Sequence, residues 1–164
     1  MNYIKAQREI FNAIARNERA IGFNMEGERI CVTTTGYYAF IFPVEMISFN
    51  PNKLAKMDAL AVHELIAPEN ELTLTQIFRA ENNGIGRCNM HRLLRGPGKN
   101  VYVNSKYLEC FDNPKFYQAK EKNISHIVVT EYSDYLDKDI PVAIVLPIKY
   151  YFEDDYIKEA EPCG

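Results

Sequence analysis

Membrane-spanning segments, export signals and a disulfide framework are all missing from this sequence. No apolar run approaches the roughly 20 residues that a transmembrane helix needs. The first residues, MNYIKAQREIF, are charged and amphipathic, unlike a signal peptide. The cysteines are scattered without the spacing of a disulfide scaffold: Cys31, Cys88, Cys110 and Cys163. These absences predict a cytoplasmic protein with free thiols and no membrane partner.

Tryptophan is absent, and neither sign of charge dominates. The 11 tyrosines and 9 phenylalanines favour sheet over an all-helical bundle, since aromatic residues pack well on pleated surfaces. Hydrophobic residues make up 47% of the 164-residue chain and charged residues 25%, which is typical of a globular domain with a real core. The formal net charge of −3 excludes nucleic-acid binding by bulk charge, so that function requires basic residues gathered on one surface.

Motifs that carry catalytic or metal chemistry are missing too. The sequence has neither the G-x-S-x-G of serine hydrolases nor the H-E-x-x-H of zinc proteases. Cys88 and His91 have a ligand-like spacing, but a closed zinc site needs four ligands and no second pair accompanies them. The segment RGPGKN fails the phosphate-loop pattern, because Leu93 replaces the first glycine and Asn100 follows Lys99. We therefore expect no cofactor, no metal and no enzymatic activity.

Helical periodicity opens the chain in the segment YIKAQREIFNAIARN. Its apolar residues fall on one side at helical spacing: Ile4, Ile10, Phe11 and Ile14. The other side carries a basic stripe that consists of Lys5, Arg8, Asn12 and Arg16. Two interpretations of the stripe stay open, a solvated face and a surface that meets phosphates.

Turn signals and β-rich runs follow this helix. Glycines at 27 and 36 separate three runs, which predicts a meander of three strands. In the last run Tyr38, Phe40 and Phe42 alternate, so one side of that strand is predicted to be aromatic and buried. The next segment, residues 50–71, is predicted to contain a short helix, with Asn50 as N-cap and Pro51 at the first helical position. LTLTQIFRA then returns to strand character.

The last third repeats the same order of elements. KNVYVN alternates like a strand, and Asn104 or Ser105 caps a predicted helix over residues 105–111. ISHIVVTEY and IPVAIVLPIKY are two further predicted strands. The apolar residues of the last one are predicted to share one face: Val142, Ile144, Leu146 and Ile148. A helix followed by a strand meander is thus predicted twice, from Tyr3 to Pro43 and from Asn104 to Tyr150. Because a helix begins each of these halves, we expect the two helices to pack side by side on one sheet face.

Charge is segregated along the chain. The stretch from Asn82 to Lys106 contains no acid, whereas the final stretch, YFEDDYIKEAEPCG, carries five acids and one lysine. The basic residues of the middle stretch are Arg87, Arg92, Arg95, Lys99 and Lys106. A run of like charge is either solvated surface or an interaction patch, and both remain open here.

The segments VYVNSKYLECFD, ISHIVVTEYSD and PVAIVLPIKY resemble the second half of a domain of the bacterial sliding clamp, the processivity factor of DNA polymerase. In that family an extended segment enters a capped helix, a strand pair follows, and an apolar strand closes with a Pro-apolar-basic motif. The residues that match the helix entry are Asn104, Tyr107 and Leu108. The residues that match the closing strand are Val145, Leu146, Pro147, Ile148 and Lys149.

The resemblance implies an α+β, clamp-like single domain over residues 1–150, followed by an acidic tail over residues 151–164. The domain is expected to have an antiparallel sheet with two amphipathic helices on one face. Clamp domains turn their helices toward DNA, so weak contact with the backbone of duplex DNA is expected. The predicted DNA-binding residues are Lys5, Arg8, Arg16, Arg87, Arg92, Arg95, Lys99 and Lys106.

Departures from the clamp pattern leave two alternatives. A bacterial clamp subunit contains three such domains and this chain has room for one, so a ring requires self-association. The first alternative is a protein-interaction adaptor of clamp-like fold without DNA binding, which the acidic tail favours. Its predicted partner surface is Leu146, Pro147 and Ile148. The second is a small enzyme, which requires a pocket that joins His63, His91 or Cys110 to a carboxylate.

Overall fold

The computed structural model describes residues 1–25, 28–34, 38–56, 66, 68–80, 88–95, 99–119 and 126–146. Within these residues, two α-helices and two short 3₁₀-helices accompany the strands. The helices are α1 (Tyr3–Ala15), α2 (Ser105–Leu108), η1 (Val44–Met46) and η2 (Pro51–Lys53). The first strands are β1 (Ile21–Met25), β2 (Arg29–Thr33), β3 (Tyr38–Pro43), β4 (Ala55–Lys56) and β5 (Pro68–Ala80). The others are β6 (Cys88–Arg95), β7 (Lys99–Asn104), β8 (Lys115–Ala119), β9 (Ile127–Ser133) and β10 (Lys138–Val145).

The strands form one sheet in the order β4-β1-β2-β3-β10-β9-β8-β5-β6-β7. The six strands from β1 to β8 in that order pair antiparallel. β4 extends one edge by parallel pairing with β1. On the other edge, the first part of β5 pairs with β8 and the rest pairs with β6. The predicted α+β class with an antiparallel sheet and two helices is confirmed.

Two equivalent halves make up the central sheet. α1 precedes the meander β1-β2-β3, and α2 precedes the meander β8-β9-β10. The two meanders meet through antiparallel pairing of their last strands, β3 and β10. The sequence predicted only two strands after the second helix, so β8 was not among the predicted elements. Phe116 of β8 is buried in the core.

Both helices cover the same face of this sheet. Side chains from α1, α2, β3 and β9 join one apolar cluster, which we call the helix-side core. Its members include Ala6, Ile10, Phe40, Phe42, Tyr107, Leu108, Phe111 and Val129. A backbone hydrogen bond joins the two helical segments, with Asn2 N donating to Cys110 O at 2.8 Å. The prediction that the helices pack on one face is confirmed, and the alternating aromatic face of β3 lies under them.

The buried side of α1 differs from the predicted one. Ala6, Gln7, Ile10 and Ala13 are buried, whereas Ile4 is 82% exposed and Phe11 44% exposed. Ile14 is also exposed. Ala6 belongs to the same apolar cluster as Phe40 and Phe42 of β3, and its short side chain suits close packing of the helix on these rings. Of the apolar residues predicted to fall on one side of the helix, only Ile10 is therefore buried.

α2 is shorter than predicted. It ends at Leu108, and the chain continues in tighter turns in which Cys110 N donates to Tyr107 O and Phe111 N donates to Leu108 O. Of the two predicted caps, Asn104 has this role, since its Oδ1 accepts from Lys106 N at 3.1 Å. The apolar face predicted for Tyr107, Leu108 and Phe111 is buried.

A β-bulge changes the faces of the last strand. Pro141 lies opposite Thr130 and Ala143 lies opposite Val129, so Val142 is an extra residue in β10. As a result Val142, Ala143 and Val145 belong to the helix-side core, and Ile144 joins a second cluster with Cys31 and Ile41. The predicted shared face of Val142 and Ile144 is wrong, because a bulge shifts the alternation by one residue.

The segment that follows β3 begins as η1 and η2, then adds β4 to the sheet. Pro51 takes the first position of η2, as predicted, but this 3₁₀-helix ends at Lys53. The predicted short helix is thus wrong over residues 54–56, which reach β4, and residues 57–65 lie outside the described part. The strand predicted from LTLTQIFRA is confirmed as part of β5.

Candidate functional site

A basic surface lies where the exposed sides of α1 and α2 meet. Lys5 and Arg8 are exposed on α1, and their positive charges both act on the nearby Cys110 thiol, which follows α2. Lys106 of α2 reaches across to α1, where its Nζ lies 3.5 Å from Glu9 Oε2. The structure therefore brings three of the predicted DNA-binding residues to one face, which we call the helix-face patch: Lys5, Arg8 and Lys106.

Acidic side chains neutralise part of this surface. Glu9 pairs with Lys106, and Glu18 Oε1 lies 3.1 Å from Arg16 Nε. Within the described residues, no ion pair involves Lys5 or Arg8. Exposed ion pairs contribute only about 0–1 kcal/mol, so a phosphate group can replace a carboxylate at little cost. Lys5 and Arg8 are the cations best placed to bind an anion, and Lys106 is the next.

Arg16 caps the end of α1, and three further predicted DNA-binding residues lie in a different part of the sheet. Arg92, Arg95 and Lys99 lie on the β6–β7 hairpin at the far edge, where Arg95 is paired in register with Lys99. Arg87 lies outside the described residues, and only the backbone of the hairpin is described.

The predicted partner surface is described only at its first residue. Leu146 is half-buried directly after β10, whereas Pro147 and Ile148 lie outside the described residues. A protein partner at this surface stays a prediction.

A groove runs along α1 on the side opposite the basic stripe. It has a volume of about 510 Å³, and its apolar walls are Phe11, Ile14, Phe49 and Leu54. Phe11 packs edge-on against Phe49, with ring centroids 6.0 Å apart. Three charged residues, Glu18, Arg19 and Lys53, also line it. We call this feature the α1 groove.

Gln7 holds in place the wall of the groove that faces α1, which contains Phe49. Its side-chain nitrogen donates to Met46 O at 3.0 Å, and its side-chain oxygen accepts from Ser48 N at 2.7 Å. Ser48 Oγ donates to the same oxygen at 2.7 Å. Gln7 is itself buried, and its bonds to Met46 and Ser48 fix the segment that leads to Phe49 beside α1. Sequence analysis missed the groove, and the only signal was a polar residue among the apolar positions of α1.

Cys31 and Cys110 are buried free thiols. Burial raises the pKa of the Cys31 thiol to about 12. Burial likewise raises the pKa of the Cys110 thiol to about 12, with Glu9 adding to the rise and Lys5 opposing it. Neither thiol is a nucleophile at neutral pH, because the thiolate is the reactive form. The free thiols predicted for Cys31 and Cys110 are confirmed, so Cys110 offers no support to the enzymatic alternative.

We expect these two thiols to be inert toward Ellman's reagent at pH 8 in the native protein. The measurement uses a C88S/C163S background, so that only Cys31 and Cys110 respond, and both should react after denaturation in guanidinium chloride. The protonated thiols favour the folded state fully below their unfolded pKa of about 8.5. That contribution is lost as the pH rises toward 12. Rapid reaction of the native protein at pH 8 would contradict the burial.

Among the described residues, His, Cys, Asp and Glu side chains form no group of three or more that could hold a metal ion. In the same part of the chain, every helix is too short or too polar to cross a membrane.

Comparisons with known proteins give no relative from which a function can be transferred. No protein-family model matches the chain, and neither the curated proteins nor the solved structures yield a significant match. The proposed function therefore depends on the arrangement of the described residues.

Proposed function

We propose that this chain is a non-enzymatic module, similar to one sliding-clamp domain, that binds the backbone of duplex DNA weakly and without sequence preference. The observation that carries the proposal is the helix-face patch, in which α1 and α2 lie on one sheet face with Lys5, Arg8 and Lys106 on their outer sides. The resemblance to clamp domains implies that this helical face is the one turned toward DNA.

The order of elements gives the proposal a second support. Each half of the central sheet consists of a helix followed by a three-stranded meander, and the halves join through β3 and β10. Such a plan places two helix surfaces side by side on one face. Phosphates of a duplex recur along both strands, so cations spread over two adjacent helices can contact several of them.

The affinity is expected to be low. Lys5, Arg8 and Lys106 give about three phosphate contacts, and Glu9 competes for one of these cations. Contacts with phosphates carry no sequence information, so specificity is not expected from this face. The net charge of −3 further opposes association with a polyanion.

Salt dependence of DNA binding tests the proposal. With about three phosphate contacts, the logarithm of the binding constant should fall with the logarithm of salt concentration with a slope of roughly −3. Lys5→Ala and Arg8→Ala should each flatten the slope by about 0.9, because each removes one phosphate contact. Fluorescence anisotropy with a labelled duplex at several salt concentrations gives these slopes.

The matched control is Lys138→Ala, which removes one exposed cation from the start of β10, outside both helices. It should leave the slope unchanged while altering the net charge by the same amount. Alanine is well tolerated at exposed helix positions, so the α1 variants should remain folded. Absence of binding at low salt by a protein shortened before Glu153 would contradict the proposal and favour the adaptor alternative.

A further inference from the structure

The α1 groove has the features of a binding site for an apolar, acidic segment. Its volume of about 510 Å³ lies within the range of roughly 300–1,000 Å³ that is typical of ligand pockets. Phe11 and Ile14 remain substantially exposed there, although apolar side chains are stabilised by burial. A partner that fills the groove would bury both.

The charges beside the groove favour a negative partner. Arg19 and Lys53 are exposed, and no carboxylate pairs with either one within the described residues. Glu18, the acidic lining residue, is already paired with Arg16. The groove therefore presents two unneutralised cations next to an apolar surface.

A matching segment follows the last strand of the same chain. Residues 151–161, YFEDDYIKEAE, contain five acids and one lysine, so their formal charge is −4. Phe152 and Tyr156 are four residues apart, and side chains at this spacing share one side of a helical turn. The segment thus combines large apolar side chains with the opposite charge to that of the groove.

The path from the last strand to the groove is short. Ile144, Ala39, Thr33 and Ile21 lie opposite one another in register across β10, β3, β2 and β1. Three strand spacings separate the ends of that row, which is roughly 14 Å. Ala20, which lines the groove, directly precedes Ile21. The six residues from Leu146 to Tyr151 can span about 20 Å when extended, which is enough to bring Phe152 to the groove.

We propose that residues 151–161 dock in the α1 groove of the same chain, with Phe152 and Tyr156 against its apolar walls and the carboxylates beside Arg19 and Lys53. A tether of this length gives an effective concentration in the millimolar range, so a contact with a millimolar dissociation constant is already half occupied. Docking then covers the exposed apolar side of α1 without any other protein. The docking is independent of DNA binding and is measured without DNA.

A single tryptophan reports on docking. Since the chain contains no tryptophan, Phe152→Trp in the full chain gives a unique fluorophore. We expect blue-shifted emission and protection from acrylamide quenching, compared with a peptide of residues 147–164 that carries the same substitution. Phe11→Asp should move the emission toward that of the peptide, because a charged side chain replaces an apolar wall and lowers the docking constant about tenfold or more.

Ile4→Asp is the matched control, since Ile4 is a more exposed apolar residue of the same helix and lies outside the groove. It should leave the emission blue-shifted. Charge reversal of Arg19 and Lys53 to Glu supplies a second variant that spares the apolar walls, and it should also release the tryptophan. Circular dichroism of each variant confirms that α1 is folded.

Three outcomes would overturn the proposal. One is emission that equals that of the free peptide in the otherwise unchanged chain. Another is a blue shift that persists in both the Phe11→Asp variant and the charge-reversed variant. The third is a shift that depends on protein concentration together with a doubled mass, which would show that the segment docks in a second copy.

Discussion

Replacement of Phe40 by alanine is expected to lower the free energy of unfolding by about 3–5 kcal/mol. Phe40 is fully buried beneath both helices, where its ring contacts Tyr38, with centroids 4.9 Å apart, and Phe42 and Phe111, each at 6.2 Å. The change removes the contacts of a whole ring and leaves a cavity between α2 and β3. Because small domains are stable by only about 5–15 kcal/mol, this loss is a large fraction of the total.

Urea denaturation followed by circular dichroism measures the effect. Tyr135→Ala is the control, since Tyr135 is 95% exposed and its replacement should change the stability by less than about 0.5 kcal/mol. The stability loss of Phe40→Leu should fall between those of Phe40→Ala and Tyr135→Ala, because leucine refills part of the cavity. A loss below about 1 kcal/mol for Phe40→Ala would mean that the helices do not cover this side of the sheet.

Replacement of Glu131 by alanine is expected to cost about 3 kcal/mol of stability. The Glu131 carboxylate is buried, and it accepts hydrogen bonds from Asp112 N at 2.7 Å and Asn113 N at 3.3 Å. It also pairs with the ammonium group of Met1, and the Met1 side chain is buried as well. Removal of the carboxylate leaves the two backbone donors without this acceptor, and the Met1 ammonium keeps Asp112 Oδ2 at 3.3 Å as its carboxylate partner. Unsatisfied buried groups are costly.

Thermal and urea denaturation of three variants separate charge from shape. Glu131→Gln keeps an acceptor oxygen and the size of the side chain, so its loss should be smaller than that of Glu131→Ala. Asp134→Ala removes an exposed carboxylate from the nearby β9–β10 turn and should be nearly neutral. Equal stability of Glu131→Ala and Asp134→Ala would show that the buried carboxylate does not hold the N-terminus and the turn after α2 together.

The strands with a regular alternation were predictable, because alternation is a property of adjacent residues. Tyr38, Phe40 and Phe42 were expected to share a buried face, and all three belong to the helix-side core. The bulge at Val142 was not predictable in this way, since one extra residue leaves the local composition unchanged. Only the pairing with Thr130 and Val129 reveals it.

The candidate site was predictable to a smaller extent. The basic stripe of α1 follows from helical spacing, and Lys5 and Arg8 are exposed as expected. The ion pairs of Glu9 and Glu18 with two of the predicted cations were not predicted, because the Glu9–Lys106 pair depends on how α1 and α2 pack and the Glu18–Arg16 pair on how the chain turns after α1. It also missed the α1 groove, which depends on hydrogen bonds between Gln7 and the distant Ser48.

By itself, the sequence determined the α+β class, the positions of most strands and a capped start of α2 at Asn104 or Ser105, since these follow from local periodicity and turn chemistry. The tertiary structure alone decided which side of α1 is buried. Ala6 and Ala13 are buried, and Ala6 joins the rings of β3 in the helix-side core, whereas Phe11 and Ile14 are left beside the groove although they are far more hydrophobic. The physical reason is that close packing selects the side chains that fit a surface, and that surface exists only once the distant strands have paired.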